Sequence, residues 1–149
     1  MDPARNDLQL RLVHLLARAM QESGRSLAEV GRRSELKRDT LRRILEGGRD
    51  VTIVEAVALL DAADLAGEQT LLFMLLVGED FALTYAGTSM AAFLGELFRC
   101  APNALVEQLG EDIHELRPRW AHGTAKLLAR TLSQHVNDLS QRGDNIGAR

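Results

Sequence analysis

The chain has 149 residues and a formal net charge of −3, with 46% hydrophobic and 26% charged residues. This length fits one domain, or a small domain with an appendage, and the composition is ordinary for a soluble globular protein. Three prolines, many leucines and no alternating apolar–polar runs favour an all-α protein. The single cysteine, Cys100, excludes a disulfide framework and a thiolate zinc cluster, and we expect it to be a small core residue.

No segment has the pattern of a signal peptide or a membrane span. The first ten residues lack an apolar run, and the longest apolar stretch, residues 71–77, is far too short to cross a bilayer. We therefore expect a cytoplasmic protein without a membrane partner.

The first predicted helix runs from about residue 6 to residue 23. Asn6 is its predicted N-cap, and Gly24 follows its end. Its predicted buried stripe consists of Leu8, Leu12, Leu15, Leu16, Ala19 and Met20.

Residues 26–47 predict two short helices joined by a tight turn. Ser26 is followed three residues later by Glu29, which is the capping-box pattern of a helix start. Gly47 provides a stop at the far end. The predicted boundaries are a first helix at about 27–34, a turn at Glu35 and Leu36, and a second helix at about 37–46.

The second of these helices has an apolar back and a mostly basic front. Leu41, Ile44 and Leu45 share one side at helical spacing. The residues that lie about 100–200° from Leu41 are Asp39, Arg42, Arg43 and Glu46. A short helix of this kind suits the major groove of DNA.

Charge is distributed unevenly along the chain. Residues 25–49 carry 8 basic and 4 acidic side chains, which gives 8 − 4 = +4, whereas residues 66–149 carry 7 basic and 10 acidic side chains, which gives −3. A local basic patch predicts phosphate binding, and we expect the acidic remainder to repel DNA. The alternative is a solvated helical face that happens to be rich in arginine.

Residues 26–65 resemble the helix-turn-helix of the lambda-repressor and Cro superfamily (XRE-type regulators), and within it the antidote regulators of toxin–antitoxin modules. The family usually has Ala where Gly31 stands and Gly where Glu35 stands, and a positive φ at residue 35 would strain Glu. The matching residues are Val30, Gly31, Leu36, Arg38, Asp39, Thr40, Leu41, Ile44, Gly47, Gly48 and the segment 51–60.

The resemblance implies an N-terminal five-helix DNA-binding domain at residues 1–66. Past Gly67 the composition becomes strongly apolar, and we expect a C-terminal helical dimerisation or regulatory region at residues 67–141. The polar residues 142–149 are expected to form a frayed tail. Regulators of this kind bind double-stranded DNA as homodimers on palindromic operators. We therefore expect a bacterial or phage transcriptional regulator, most simply a repressor, that is associated with the nucleoid when bound.

The helix at 37–46 is expected to read base edges, and the residues around it are expected to hold phosphates. Asp39 has an equal alternative as a first-turn acid that stabilises the helix dipole. The predicted base contacts are Arg38, Asp39, Arg42 and Arg43, and the predicted phosphate contacts are Arg32, Arg33, Lys37, Thr40 and Arg49, with Arg25 as a less certain addition.

Further helices are predicted beyond the turn. Thr52 and Glu55 form a second capping-box pattern. The predicted helices that follow run from Thr52, over residues 68–86, 90–100 and 104–116, and from Pro118 to about Leu139.

The C-terminal half carries more apolar helix faces than a small core can absorb, which predicts a dimer interface at Trp120, Leu127, Leu128, Leu132, Val136 and Leu139. One alternative is a partner protein, such as a toxin or part of the transcription machinery. Another is a ligand pocket among Phe73, Met74, Phe81, Tyr85, Phe93, Phe98 and Trp120.

We expect no enzymatic activity, no cofactor and no metal. Asp61 and Asp64 lack a nucleophile or histidine nearby, so helix-end solvation is the preferred interpretation. Glu111, His114 and Glu115 come nearest to a metal pattern but have no third neutral ligand.

Overall fold

The computed structural model describes residues 3–147 of the chain, with side chains described over residues 6–140. Regular structure within this range is entirely helical, which confirms the all-α prediction. The chain divides into two compact units, Met1–Cys100 and Ala101–Arg149. The helices are α1 Pro3–Ser23, α2 Leu27–Arg33, α3 Arg38–Leu45, α4 Ile53–Ala62, α5 Gly67–Leu76, α6 Glu79–Tyr85, α7 Ser89–Leu109 and α8 Ala121–Gly147, with 3-10 turns at Gly110–Glu115 and Pro118–Trp120.

The core of the first unit is built from the apolar stripes of its short helices. The predicted stripe of α1 is buried except for Leu8, which is 39% exposed. Every helix from α1 to α6 contributes buried side chains. The helices α2 to α6 have only 7–10 residues and depend on this packing, because isolated helices of that length are not stable in water. The largest buried side chains are Leu15, Leu16, Val30, Leu41, Ile44, Leu59, Leu60, Phe73 and Met74.

The first unit continues past the predicted boundary at residue 66. Phe73 and Met74 of α5 are buried in the same core as the first four helices. Arg11 of α1 donates from Nη2 to the carbonyl oxygen of Met74 at 2.9 Å, and Arg18 pairs with Asp80 of α6 at 2.7 Å. These contacts make α5 and α6 part of the unit that holds the helix pair α2–α3.

Two predicted helix boundaries are wrong. The segment predicted as one helix over 68–86 is divided at Gly78, whose φ of +133° ends α5 and starts α6. The break predicted at Pro102 does not occur, because α7 runs through it without interruption. Proline removes one backbone donor from a helix, and on this exposed stretch of α7 water can satisfy the freed carbonyl.

The C-terminal helix also differs from its prediction. A 3-10 turn precedes it, and α8 continues to Gly147 through most of the tail predicted at 142–149. The last two residues of that tail lie outside the described residues. No helix in the described part of the chain is long and apolar enough to span a bilayer.

The second unit has no buried side chain over residues 101–140. Trp120 is 49% exposed, and Val136 and Leu139 are more than half exposed. An open apolar cleft of about 570 Å³ lies within this unit, between the end of α7 and the start of α8. Its lining includes Leu105, Leu116, Trp120, Ala125 and Leu128.

Gly67 lies at the contact between α4 and α5 and provides a test of this packing. A Cβ at this position would lie 2.7 Å from the carbonyl oxygen of Val57 and 3.1 Å from its Cα. Because both are backbone atoms, we expect Gly67→Ala to lower the free energy of unfolding by about 1–3 kcal/mol in urea denaturation. Gly123→Ala is the control, since no atom lies within 4 Å of a Cβ there; it should be neutral or stabilising by up to about 1 kcal/mol. Unchanged stability of Gly67→Ala would contradict the close α4–α5 contact.

Candidate nucleic-acid interface

The start of α2 is capped as predicted, but only half of the capping box forms. The side-chain oxygen of Ser26 accepts a hydrogen bond from the backbone N–H of Glu29 at 3.2 Å. The carboxylate of Glu29 pairs with Arg25 instead of returning to the cap. One unpaired backbone donor of the first turn of α2, the N–H of Glu29, is therefore satisfied locally, and the Glu29 carboxylate holds the loop before the helix.

The turn between α2 and α3 requires a left-handed backbone at Glu35, whose φ is +58°. The N–H of Leu36 donates to the carbonyl oxygen of Gly31 at 3.0 Å, which closes α2 in the way that glycine-ended helices close. Ser34 donates from Oγ to the carbonyl of Val30 at 2.7 Å. A Cβ on Gly31 would lie 3.1 Å from the oxygen of Leu36, so the small residue is matched to the tight turn.

The orientation of α3 is fixed by its apolar back. Leu41 and Ile44 are fully buried, and Leu45 packs against the core. The helix ends at Gly47, with φ +68°, and the N–H of Gly48 donates to the carbonyl of Arg43 at 2.9 Å. The opposite side of α3 therefore faces solvent along its whole length.

The structure brings most of the predicted DNA contacts to one surface, which we call the α2–α3 face. A shallow cleft of about 420 Å³ over the turn joins Arg32 of α2 to Lys37 and Arg38. None of these three cations, nor Arg43, forms an ion pair within the described residues, and Arg42 only approaches Glu46 at 3.8 Å. The α2–α3 face comprises Arg32, Lys37, Arg38, Asp39, Thr40, Arg42 and Arg43, all exposed except the half-buried Thr40.

Arg33 and Arg25, two of the predicted phosphate contacts, form ion pairs with carboxylates of the first unit. Arg33 pairs with Asp64 through Nη2 and Oδ1 at 2.6 Å, and Arg25 pairs with both Asp64 and Glu29. The two guanidinium groups hold the pKa of the Asp64 carboxyl below its usual range. Asp64, which has φ +64° at the end of α4, therefore joins α4 to the loop before α2 and to the end of α2.

Arg49, another predicted phosphate contact, is likewise paired with a carboxylate. Its Nη2 donates to Oε1 of Glu55 at 2.7 Å, and its buried Nη1 makes no hydrogen bond within the described residues. Burial raises the pKa of Glu55, but the hydrogen bonds from the Thr52 backbone and from Arg49 outweigh it and leave the pKa lowered. The same Glu55 completes the predicted capping box with Thr52 at the start of α4.

The aromatic residues that were predicted to line a ligand pocket do not enclose one around Phe73 and Met74. Phe73 and Met74 are buried in the core, and the ring of Phe73 meets that of Phe81 edge-on at 5.6 Å. Tyr85 packs against Phe81 at 4.7 Å. Phe73 and Phe81 therefore pack against each other instead of enclosing a cavity. The exposed members are Tyr85 (37%), Phe93 (41%), Phe98 (44%) and Trp120 (49%).

Three further predictions on single residues need correction or comment. Cys100 is exposed and not in the core; its Sγ lies 3.3 Å from Glu96, whose carboxylate raises the pKa of the thiol. Asp61 accepts from the N–H of Gly67 at 2.9 Å, so it caps α5 instead of being merely solvated. In the part of the chain that the structure describes, no three His, Cys, Asp or Glu side chains gather as a metal site.

A second basic segment was missed by the sequence analysis. Residues 116–137 contain no Asp or Glu but carry Arg117, Arg119, Lys126 and Arg130. The charge count over residues 66–149 hid this segment, because it averaged these cations with the acidic residues at 107–115. A sliding window of about 20 residues would have found it.

Comparison with known proteins identifies the segment that contains α2 and α3. Residues 11–73 match a family model described as a helix-turn-helix domain. Comparisons with curated proteins and with solved structures gave no match. Residues 11–73 therefore carry a helix-turn-helix domain, which covers most of α1, all of α2, α3 and α4, and the first part of α5.

The left-handed backbone at Glu35 predicts that glycine at this position stabilises the protein. Glu35→Gly should raise the free energy of unfolding by about 0.5–1 kcal/mol, because relief of the left-handed conformation outweighs the extra freedom of glycine in the unfolded chain. Glu46→Gly is the matched control, since Glu46 has φ −80° and gains nothing from glycine. We expect it to lose about 0.5–1 kcal/mol. Urea denaturation of the two variants should give opposite signs, and equal signs would refute the strained turn.

Proposed function

We propose that this helix-turn-helix protein is a sequence-specific DNA-binding transcriptional regulator that binds a palindromic operator as a homodimer. The observation that carries the proposal is the α2–α3 face. Its back is anchored by buried Leu41 and Ile44. On its exposed front, Arg38 and Arg43 form no ion pair within the described residues, and Arg42 forms only a long pair with Glu46 at 3.8 Å. Exposed cations on a short helix with a buried back match the needs of the DNA major groove.

The residues on this face divide into two kinds of contact. Arg32, Lys37 and Thr40 lie beside the turn and would hold phosphates, which sets the position of the domain without reading sequence. Arg42 and Arg43, with Arg38, would bind guanine through O6 and N7.

Asp39 stands at the first turn of α3 and is exposed. Its carboxylate would accept from cytosine N4 or orient a neighbouring arginine. Stabilisation of the helix dipole remains its alternative role.

The proposed action is binding and not catalysis, without cofactor or metal. A bound dimer covers its operator, which makes repression the simplest outcome. The protein would act in the cytoplasm of a bacterium, or on phage DNA, at the nucleoid.

The apolar surface of the second unit supports the dimer part of the proposal. On α8, Leu128, Leu132, Val136 and Leu139 fall within about 80° of one another, and Leu128 also lines the apolar cleft of this unit. Leu127 lies about 100° away from Leu128 and outside this stripe.

A stable interface buries about 800 Å² on each partner, and a unit without buried side chains gains most from such a partner. We assign the stripe to a second copy of the chain, because two-fold symmetry would pair two α2–α3 faces with two half-sites.

A partner protein is the alternative, as expected for an antidote-like regulator. It is favoured by a second apolar cleft of about 320 Å³ on the first unit, among α1, α4 and α5. Leu8, Ile53 and Leu75 line this cleft and are 39%, 75% and 53% exposed. Co-purification of a second protein, with no DNA shift by the isolated chain, would favour this function over the operator-binding dimer.

The DNA-binding proposal is tested by selecting bound duplexes from a random library. We expect an inverted repeat, and we expect Arg42→Ala and Arg43→Ala each to weaken binding to it by about 1–3 kcal/mol while relaxing preference at one base position. Arg99→Ala is the control, because Arg99 is exposed but pairs with Glu96 outside the α2–α3 face.

Two outcomes would contradict the assignment. Equal loss on all sequences would make Arg42 and Arg43 phosphate contacts instead of base contacts. Selection that recovers no sequence preference from a folded protein would reject the proposed function itself.

The dimer is tested by two double variants of α8. Leu132→Glu with Leu139→Glu places charge in the apolar stripe, and we expect a monomer in sedimentation equilibrium at concentrations where the wild type is a dimer. Ser133→Glu with Asn137→Glu adds the same charge on the opposite side of the helix and should leave the dimer intact. A wild-type monomer, or dimers of all three proteins, would exclude this interface.

A further inference from the structure

The polar side of α8 carries a concentrated positive charge. Lys126, Arg130, Ser133 and Asn137 lie within about 60° of one another, roughly opposite Leu128. Arg119 precedes them in the 3-10 turn, and no acidic residue occurs from residue 116 to residue 137. We call Arg119, Lys126, Arg130, Ser133 and Asn137 the α8 basic face.

These cations are accessible and unpaired. Arg119, Lys126 and Arg130 are exposed and form no ion pair within the described residues, whereas Arg117 pairs with Glu115 at 3.1 Å. The first unit shows that this chain neutralises arginines that serve structure, as it does for Arg33 with Asp64. The α8 basic face lacks such partners, so its charge is directed at solvent.

The charge does not serve the stability of the helix. A helix is stabilised by acidic residues in its first turn and basic residues in its last turn. α8 has no acidic residue in its first turn and no basic residue in its last, and Arg119, Lys126 and Arg130 lie in or before its first three turns. This arrangement raises the positive potential at one end of α8, which suits an anionic partner.

We propose that the α8 basic face binds the phosphate backbone of double-stranded DNA, as a second contact separate from the α2–α3 face. The inference rests on the proposed DNA-binding function. It adds DNA contacts to α8, for which that proposal gives only a role in dimerisation. Lys126 and Arg130 are one helical turn apart, about 6 Å along α8, and their long side chains reach successive phosphates. Ser133 and Asn137 supply neutral donors on the same side.

A lipid surface is the less favoured partner for the same helix. Binding to a bilayer would require the apolar stripe of α8 to face the acyl chains. Leu128 and Ala125 of that stripe line the cleft of the second unit together with Leu105 and Leu116. In the proposed dimer the rest of this apolar side faces a second copy of the chain, while the basic side is unobstructed.

The test measures the salt dependence of DNA binding by the full chain. Fluorescence anisotropy is recorded with the selected operator and with an unrelated duplex of equal length, over a series of KCl concentrations. Each of Lys126→Gln and Arg130→Gln should reduce the slope of log K against log[salt] by about 0.9 for each copy of the face that contacts the duplex. By the same relation, each of these substitutions should lower the affinity at 0.1 M salt about eightfold per copy, and equally on both duplexes.

Arg99→Gln is the matched control, because it removes the same single charge from an exposed helix in a site paired with Glu96. Circular dichroism and sedimentation should show that every variant keeps the helicity and oligomeric state of the wild type. An effect of Arg99→Gln equal to that of Lys126→Gln would mean that net charge alone is responsible, which would overturn the inference. Unchanged slopes for Lys126→Gln and Arg130→Gln would overturn it as well.

Two further outcomes distinguish this inference from membrane binding and from the proposed function of the α2–α3 face. Binding to phosphatidylserine-containing vesicles that is lost in Lys126→Gln and Arg130→Gln, with DNA binding unchanged, would assign the face to membranes and overturn the proposal. A selection without base preference would reject the proposed function through the α2–α3 face. The uniform loss expected from the α8 variants would still be measurable on the unrelated duplex.

Discussion

The closure of the turn between α2 and α3 is the constraint on which the α2–α3 face depends. The hydrogen bond from Leu36 to Gly31 requires a left-handed residue at position 35, and the chain supplies Glu there despite its steric cost. The geometry is kept because Leu41 and Ile44, just beyond the turn, are fully buried. Local strain is thus held by the core, as is common where a backbone shape serves function.

Carboxylates determine which arginines of this basic region are available. Asp64 holds Arg25 and Arg33, and Glu55 holds Arg49, so that these cations connect helices. Such partly exposed ion pairs contribute little net stability, but each occupies guanidinium donors that are otherwise open to solvent. The charge that remains unpaired is concentrated around the turn and along the front of α3. Residues 25–49 carry a net charge of +4, and because Arg25, Arg33 and Arg49 are paired, the remaining positive charge lies on the α2–α3 face.

The sequence predicted correctly the helix caps and the buried side of α3, which depend on interactions between residues close in the chain. The cap at Ser26, the capping box at Thr52 and the apolar back of α3 depend on residues within one or two turns, and all are present. The pairing of Arg33 with Asp64 spans 31 residues, so no local pattern could reveal it. The break predicted at Pro102 is wrong because the low helix propensity of a single proline is overridden by the good helix formers on both sides of it.

The second unit shows how two demands can share one helix. The apolar stripe of α8 needs to be covered, because no side chain in the described part of this unit is buried. The polar side of the same helix carries unpaired cations around Lys126 and Arg130. If two copies meet through the stripe, their basic sides point outward and each dimer gains a second set of phosphate contacts. Linked contacts of this kind raise affinity without any new base recognition, so sequence preference would stay with α3 while α8 sets the strength of binding.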